Sequence, residues 1–403
     1  MIPISNAQEA GMLPERLKRL SSAMGGYVER KEVAGLVTMV YRKGVLAHCD
    51  VLGQQDVKTG EAMRRDSLFR IASMTKPVTS AAAMMLIEEG RLLLDDPIAR
   101  WIPELGNPQV LRDPNGPIDD TYAASRGITV RDLLLHRSGL AYPVTAQGPL
   151  AAALFGFNAE VLPSGDPDSW LKQLGKLPLM FEPGTRWHYG FSTDALGLLV
   201  GRVAGCSFAE FLKERFFDPL EMHDTGFSVA TRGANRLTVG YVAGEAPGQL
   251  IEHDHPERRV WNAGGFPSGG AGLISTADDY LKFARMLLGN GRSGGTRLLS
   301  RHSVELMTTN FLTPEERATP FMGMPGFWAA QGFGLGLSVI DNRAYQATLG
   351  SAGQYGWPGA YGTTWLADPK EDMVCVLMIQ LFWATQCRIA QHFQSLVYQA
   401  IDD

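Results

Sequence analysis

The sequence predicts an α/β chain of the α+β kind: an antiparallel sheet flanked by helices, with a mostly helical second lobe. Strand-like runs gather towards the two ends, in residues 35–52 and 334–380, while the long middle reads as helices and loops. A chain of 403 residues, 45% of them hydrophobic, exceeds what one core of about 250–300 residues encloses. Strands at both ends imply one sheet whose edges come from the two termini, with the middle as an insertion beside it. The expected division is residues 1–72 and 260–403 for the sheet lobe and residues 73–259 for the helical lobe, with a cleft between them.

The elements follow in order. Leu13 to Val28 carries a helical pattern, and Gly35–Tyr41 with Val45–Leu52 reads as a hairpin turning at Lys43-Gly44. Arg70-Ile71-Ala72 leads into an amphipathic helix from about Ser73 to Glu89, closed by Gly90. Shorter helical pieces fall at Val130–Leu135, Ser192–Val203 and Phe208–Phe217, amid heavy Pro and Gly punctuation. The glycine-rich run Gly269–Thr276 enters a helix near Ala277, with Ser275 and Asp278, or Thr276 and Asp279, at capping spacing. Strands are expected at Gly334–Ile340, Gln346–Gly350, Gly362–Asp368 and Met373–Gln380, then a final helix from about Thr385 to Ala400.

Composition narrows the partners. Lys and Arg number 37 against 42 Asp and Glu, a net charge of −5, with no polybasic run. Nothing in that balance attracts nucleic acid or an anionic membrane surface, so the expected partner is a small molecule. The start, Met1 to Ala10, lacks the basic and apolar stretches of a secretory signal, and the apolar tract Met373–Ala384 is shorter than the roughly 20 residues that span a bilayer. Cys49, Cys206, Cys375 and Cys387 form no CxxC pair and read as reduced thiols of a cytoplasmic protein. No phosphate cradle appears, so no cofactor is expected, and His253-Asp254-His255 lacks a third ligand, so neither is a metal.

The chemistry centres on Ser73-Met74-Thr75-Lys76. Three residues apart on a helix, the hydroxyl and the amine project from one face. The helix start favours developing negative charge, and Pro77 is tolerated only near a first turn. A serine hydroxyl needs a base, and a lysine whose charge is disfavoured by burial can serve. Ser-x-x-Lys alone is a common chance match. Gly291-Arg292-Ser293-Gly294-Gly295 also fits a nucleophile pattern, G-x-S-x-G, but a helix precedes it where a strand is required, which makes Ser293 a loop serine.

The neighbourhood of Ser73 decides. Phe69-Arg70-Ile71-Ala72-Ser73-Met74-Thr75-Lys76-Pro77-Val78-Thr79 resembles the nucleophile segment of class C β-lactamases and penicillin-binding proteins, and most of all that of the family VIII carboxylesterases. Leu133–Leu140, Phe181–Tyr189 and Gly269–Phe283 are similar to further family segments in the same order. The resemblance implies a β-lactamase/transpeptidase-like fold, Tyr189 as the partner of Lys76, and an oxyanion hole made by the N–H groups of Ser73 and Ala360. The lactamase pattern has Asn two residues after the tyrosine, and Phe191 stands here. Its Lys-Thr-Gly strand is replaced by Trp357-Pro358-Gly359, similar to the esterases' Trp-Gly-Gly. Losing that lysine removes a cation for a substrate carboxylate, and Trp357 offers an apolar wall with one N–H.

These features imply a serine carboxylesterase for small or aromatic esters, with Trp357, Gly359, Phe191, Tyr361 and Phe266 lining the substrate pocket. A β-lactamase, a D-amino-acid peptidase or an acyltransferase would use the same nucleophile, and a non-catalytic binding or scaffold protein would keep only the fold. His136 is expected to make structural hydrogen bonds, and His188, alternating away from Tyr189 on a strand, to shape the segment or face solvent.

Overall fold

The first and last long strands of the chain meet at the middle of one eight-stranded antiparallel sheet. The structure is a computed structural model that describes residues 1–157, 163, 165–229, 231–255, 266–384 and 387–403. Gly35–Arg42 pairs with Val45–Asp56 on one side and Met373–Met378 on the other, Val37 opposite Met378. Outward from the hairpin lies the short edge Glu61–Ala62; outward from Met373–Met378 lie Thr364–Asp368, Tyr355–Gly356, Ser338–Ile340 and the other edge, Gln331–Phe333.

The central strands are apolar on both faces because both faces are covered. Val37, Met39, Val374, Val376 and Met378 enter one core, with Phe283, Leu287 and the nucleophile helix Thr75–Glu88. The alternate residues Leu36, Val40, Cys375 and Leu377 enter a second, against the terminal helices Pro14–Glu29 and Ile389–Tyr398. Period-two alternation thus separates two cores instead of core from solvent. Each large aliphatic side chain so buried contributes roughly 1.5–3 kcal/mol.

Several expectations are corrected. Gln346–Gly350 is not a strand but a run of bends, and the strand that fills its place is Tyr355–Gly356. The middle of the chain carries two ribbons besides its helices, Gln109–Leu111 with Thr121–Ala123 and Gly240–Ala243 with Leu250–Asp254. Of the two capping pairs, Thr276 is used: its hydroxyl accepts from Asp279 N–H, while Asp278 binds Arg65. The final helix runs Ile389–Tyr398, and the expected start at Thr385 lies outside the described residues, as do residues 259 and 260 of the domain boundary. Ser293 sits on a two-residue strand of a small hairpin with Thr296–Arg297. Among the described residues no single helix is long and apolar enough to cross a membrane.

Candidate active site

Ser73 is delivered by a short strand and a tight turn. Phe69–Arg70 pairs with Ile274–Ser275, and the chain then passes through a 3-10 turn, Ala72–Met74, before the α-helix begins at Thr75. Ala72 takes a left-handed φ of 43°, a conformation that a residue with a side chain holds only when its surroundings enforce it. They do so on several sides. Ile71 N–H donates to Leu273, Thr75 Oγ1 accepts from Leu273 N–H, and the Tyr280 hydroxyl donates to the Met74 carbonyl at 2.8 Å.

Lys76, fully buried, donates to Ser73 Oγ at 3.2 Å, to the Gly270 carbonyl at 2.8 Å and to the Tyr142 hydroxyl at 3.3 Å. Its ammonium lies 4.4 Å from the centroid of the Tyr189 ring. The Tyr189 hydroxyl donates to Ser73 Oγ at 2.8 Å and accepts from Trp357 Nε1 at 3.1 Å. The three residues named for chemistry therefore converge on one oxygen, with Trp357 one bond further out.

Two residues absent from the sequence reading complete this network. Asp194, buried in the first turn of the helix Ser192–Ala204, accepts from the Tyr142 hydroxyl at 3.0 Å, from Ser268 Oγ and from Gly270 N–H. Burial pushes its carboxyl above the usual range, against the opposing pull of Lys76 and the three donors. Burial and the Asp194 charge hold the Tyr142 phenol well above 10, so it stays protonated and donates. A β-carbon at position 270 would lie 2.4 Å from Asp194 Oδ2, so glycine is required there.

His136 holds the backbone on both sides of Tyr189. Its carbonyl accepts from His188 N–H at 2.7 Å and its Nδ1 from Gly190 N–H at 3.4 Å, which leaves Nε2–H to meet Thr193 Oγ1 at 3.1 Å. Burial, and then Lys76, keep the imidazole well below its usual pKa, so it is neutral. His188 turns away from Ser73 onto the Phe181 ring, and burial lowers it to about 4.

Ala360 lies in the turn Gly359–Gly362, across from Ser73. Gly359 sits against the Ile71 carbonyl, where a β-carbon would come within 2.3 Å of that oxygen. The Ala360 carbonyl is bonded by Trp383 N–H, whereas neither the Ala360 nor the Ser73 N–H donates to any described residue. Two unused N–H groups thus border the nucleophile.

A cavity of about 310 Å³ opens beside Ser73 and Tyr189, lined by Trp357, Gly359 and Ala360 together with Phe321, Met322, Met324, Phe327, Ile379 and Trp383. Among the described residues no charged side chain lines it. Three expected lining residues are elsewhere. Phe191 is fully buried between Tyr142 and Trp170, because it leads directly into a helix whose first residues face the core. Phe266 packs on Trp170, 5.1 Å between rings. Tyr361 is not among the lining residues, and its hydroxyl donates to Asp254. A second cavity of about 510 Å³, beyond Tyr189 and sharing Phe321 and Met322, is lined by Trp187, Trp328 and Arg186.

Comparison with known proteins agrees with this architecture. The Beta-lactamase family profile matches residues 20–390. Protein Rv1367c of Mycobacterium tuberculosis is 45% identical over 352 residues, 86% of each chain. Esterase EstB of Burkholderia gladioli is 30% identical over 375 residues, 89% of each chain. The solved structure of EstCE1, a hydrolase with promiscuous acyltransferase activity, superposes with a TM-score of 0.82 at 25% identity, covering 97% of this chain and 99% of that one. With a profile that spans both ends of the sheet and every segment around Ser73, this chain belongs to the Beta-lactamase family.

Proposed function

We propose that the protein is a serine carboxylesterase acting on small, uncharged or aromatic esters through an acyl-enzyme on Ser73. The observation that carries this reading is the convergence of the Tyr189 hydroxyl and the Lys76 amine on Ser73 Oγ, at 2.8 and 3.2 Å. Ser73 Oγ attacks the ester carbonyl while its proton passes to the Lys76–Tyr189 pair in the form that carries one proton fewer, either a neutral amine beside the phenol or a phenolate beside the ammonium. The oxyanion gathers at the Ser73 and Ala360 N–H groups, donors of a kind worth about 3 kcal/mol of barrier each. As the carbonyl–alkoxide bond breaks, the pair returns the proton to the departing alcohol. Water then attacks the acyl group by the same route, its proton passing to the pair and back to Ser73.

The cavity beside Ser73 supports an uncharged substrate. Its described walls are mostly apolar side chains with the neutral polar Thr363, Thr364 and Gln391, and the tryptophan that replaces the lactamase lysine bonds Tyr189 instead of offering a cation. Phe191, buried at the position of the lactamase asparagine, offers no amide to a β-lactam side chain. The similarity to the esterase EstB, and to EstCE1, a hydrolase with promiscuous acyltransferase activity, points the same way. An alcohol in place of water would make the same site an acyltransferase, a reading that the promiscuous acyltransferase activity of EstCE1 favours. The four unpaired cysteines suit a reducing, cytoplasmic compartment.

The test is hydrolysis of p-nitrophenyl acetate by the wild type and by Ser73→Ala, with nitrocefin as competitor substrate. Loss of activity in the variant, and esters turned over faster than nitrocefin, are expected. Activity that survives Ser73→Ala rules out the nucleophile, and faster nitrocefin turnover rules out the esterase ranking.

A further inference from the structure

The two N–H groups assigned to the oxyanion hole sit on segments far apart in sequence, and a buried polar bridge joins those segments. Arg70, three residues before Ser73, is fully buried. Gln380 clasps its backbone, donating to the Arg70 carbonyl at 3.1 Å and accepting from its N–H at 3.2 Å. The Arg70 guanidinium donates to the Thr238 carbonyl at 2.6 Å and lies 2.9 Å from Asp254 Oδ2. The same carboxylate oxygen accepts from the Tyr361 hydroxyl at 2.8 Å, and Tyr361 directly follows Ala360.

A buried charge pair adds little net stability: well-packed apolar residues of similar volume often serve as well or better. What it fixes is relative position, since both partners must stay in register to avoid an uncompensated buried charge. Here Arg70 precedes one oxyanion donor and Asp254 holds Tyr361 beside the other, and Gly359 leaves no slack against Ile71 for the turn to shift inward.

We infer that Arg70, Asp254 and Tyr361 form a positioning clamp that sets the separation of the Ser73 and Ala360 N–H groups. The inference rests on the esterase reading and adds to it residues that touch no substrate. An oxyanion hole is effective only when both donors lie about 2.7–3.1 Å from the developing charge, so a small drift of the Ala360 turn weakens the transition state and spares the ground state.

Tyr361→Phe is the deciding variant, because it removes one hydroxyl and keeps the ring; Asp254→Asn is its companion. For p-nitrophenyl acetate, kcat is expected to fall about 10- to 100-fold in Tyr361→Phe with KM changed less than about two-fold. Affinity for a boronic acid, whose adduct with Ser73 is tetrahedral and anionic, should fall by the same factor. Both are measured well below the melting temperature. A lowered melting temperature with kcat and boronate affinity unchanged would overturn the clamp and leave the esterase reading intact. Failure of the unaltered protein to react at Ser73 with either a boronate or a fluorophosphonate would instead remove the esterase reading, and the clamp with it.

Discussion

The Tyr189 hydroxyl donates to the Ser73 hydroxyl across 2.8 Å, from a phenol whose ring face carries the Lys76 ammonium 4.4 Å away. The geometry couples the two groups, so a proton leaving Ser73 meets them as one unit.

Tyr189→Phe and Lys76→Met should each lower kcat by about 10²–10⁴-fold, the range for a lost acid–base partner. Their double variant should be little worse than the poorer single one, because residues acting as a unit are non-additive. Single-turnover acylation rates measure this. Multiplying effects would show that the two act separately.

Trp357→Phe keeps an apolar wall and deletes the N–H that bonds Tyr189 at 3.1 Å. One such hydrogen bond is worth about 1 kcal/mol, so kcat should drop roughly five-fold with KM nearly constant. A rise in KM with kcat unchanged would instead make Trp357 a substrate contact alone.

Trp383 and Met324 line the cavity and are part-exposed, at 42% and 38%. Trp383→Ala should raise kcat/KM for longer acyl chains relative to acetate by about ten-fold, since each methylene buried in a pocket is worth about 1 kcal/mol or more. A series of p-nitrophenyl esters from acetate to octanoate reads this out. An unchanged profile would place the acyl group elsewhere.

Stability should depend on His188. Its folded pKa, pushed down by burial to about 4, lies below the ordinary 6.5. Above pH 6.5 both states are neutral; between 6.5 and 4 only the unfolded chain takes up the proton. Acid therefore destabilises the fold through that window, by about 3 kcal/mol at its lower end. Buried His136 adds to the same trend. Urea denaturation should show a flatter slope against pH in His188→Gln. An unaltered slope would assign the acid sensitivity to other groups.

The parts of the site legible in the sequence are the local ones. Ser73 and Lys76 are three residues apart, so one helical turn relates them, and Tyr189 follows a Pro-Gly turn. The rest depends on chain segments that only tertiary packing brings together. Asp194 and Tyr142 read as an ordinary first-turn acid and a loop tyrosine, and their burial beside Lys76 follows from the glycines at 269 and 270. Phe321, Met322 and Phe327 come from a stretch with almost no helix or strand and so no periodicity to read. Phe191 stands at the position of the lactamase asparagine and Tyr361 follows Ala360, yet tertiary packing takes Phe191 between Tyr142 and Trp170 and Tyr361 to Asp254. Tyr355–Gly356, two residues long, offers no alternation at all, and the assignment went instead to the longer run at 346–350.

The most direct test is to quench a reaction with p-nitrophenyl acetate in its first turnovers and map the acetylated peptide by mass spectrometry. One acetyl group per chain is expected, on Ser73, absent in Ser73→Ala and slow to form in Tyr189→Phe. Acetylation at another residue, or turnover with no acyl-enzyme at all, would contradict it.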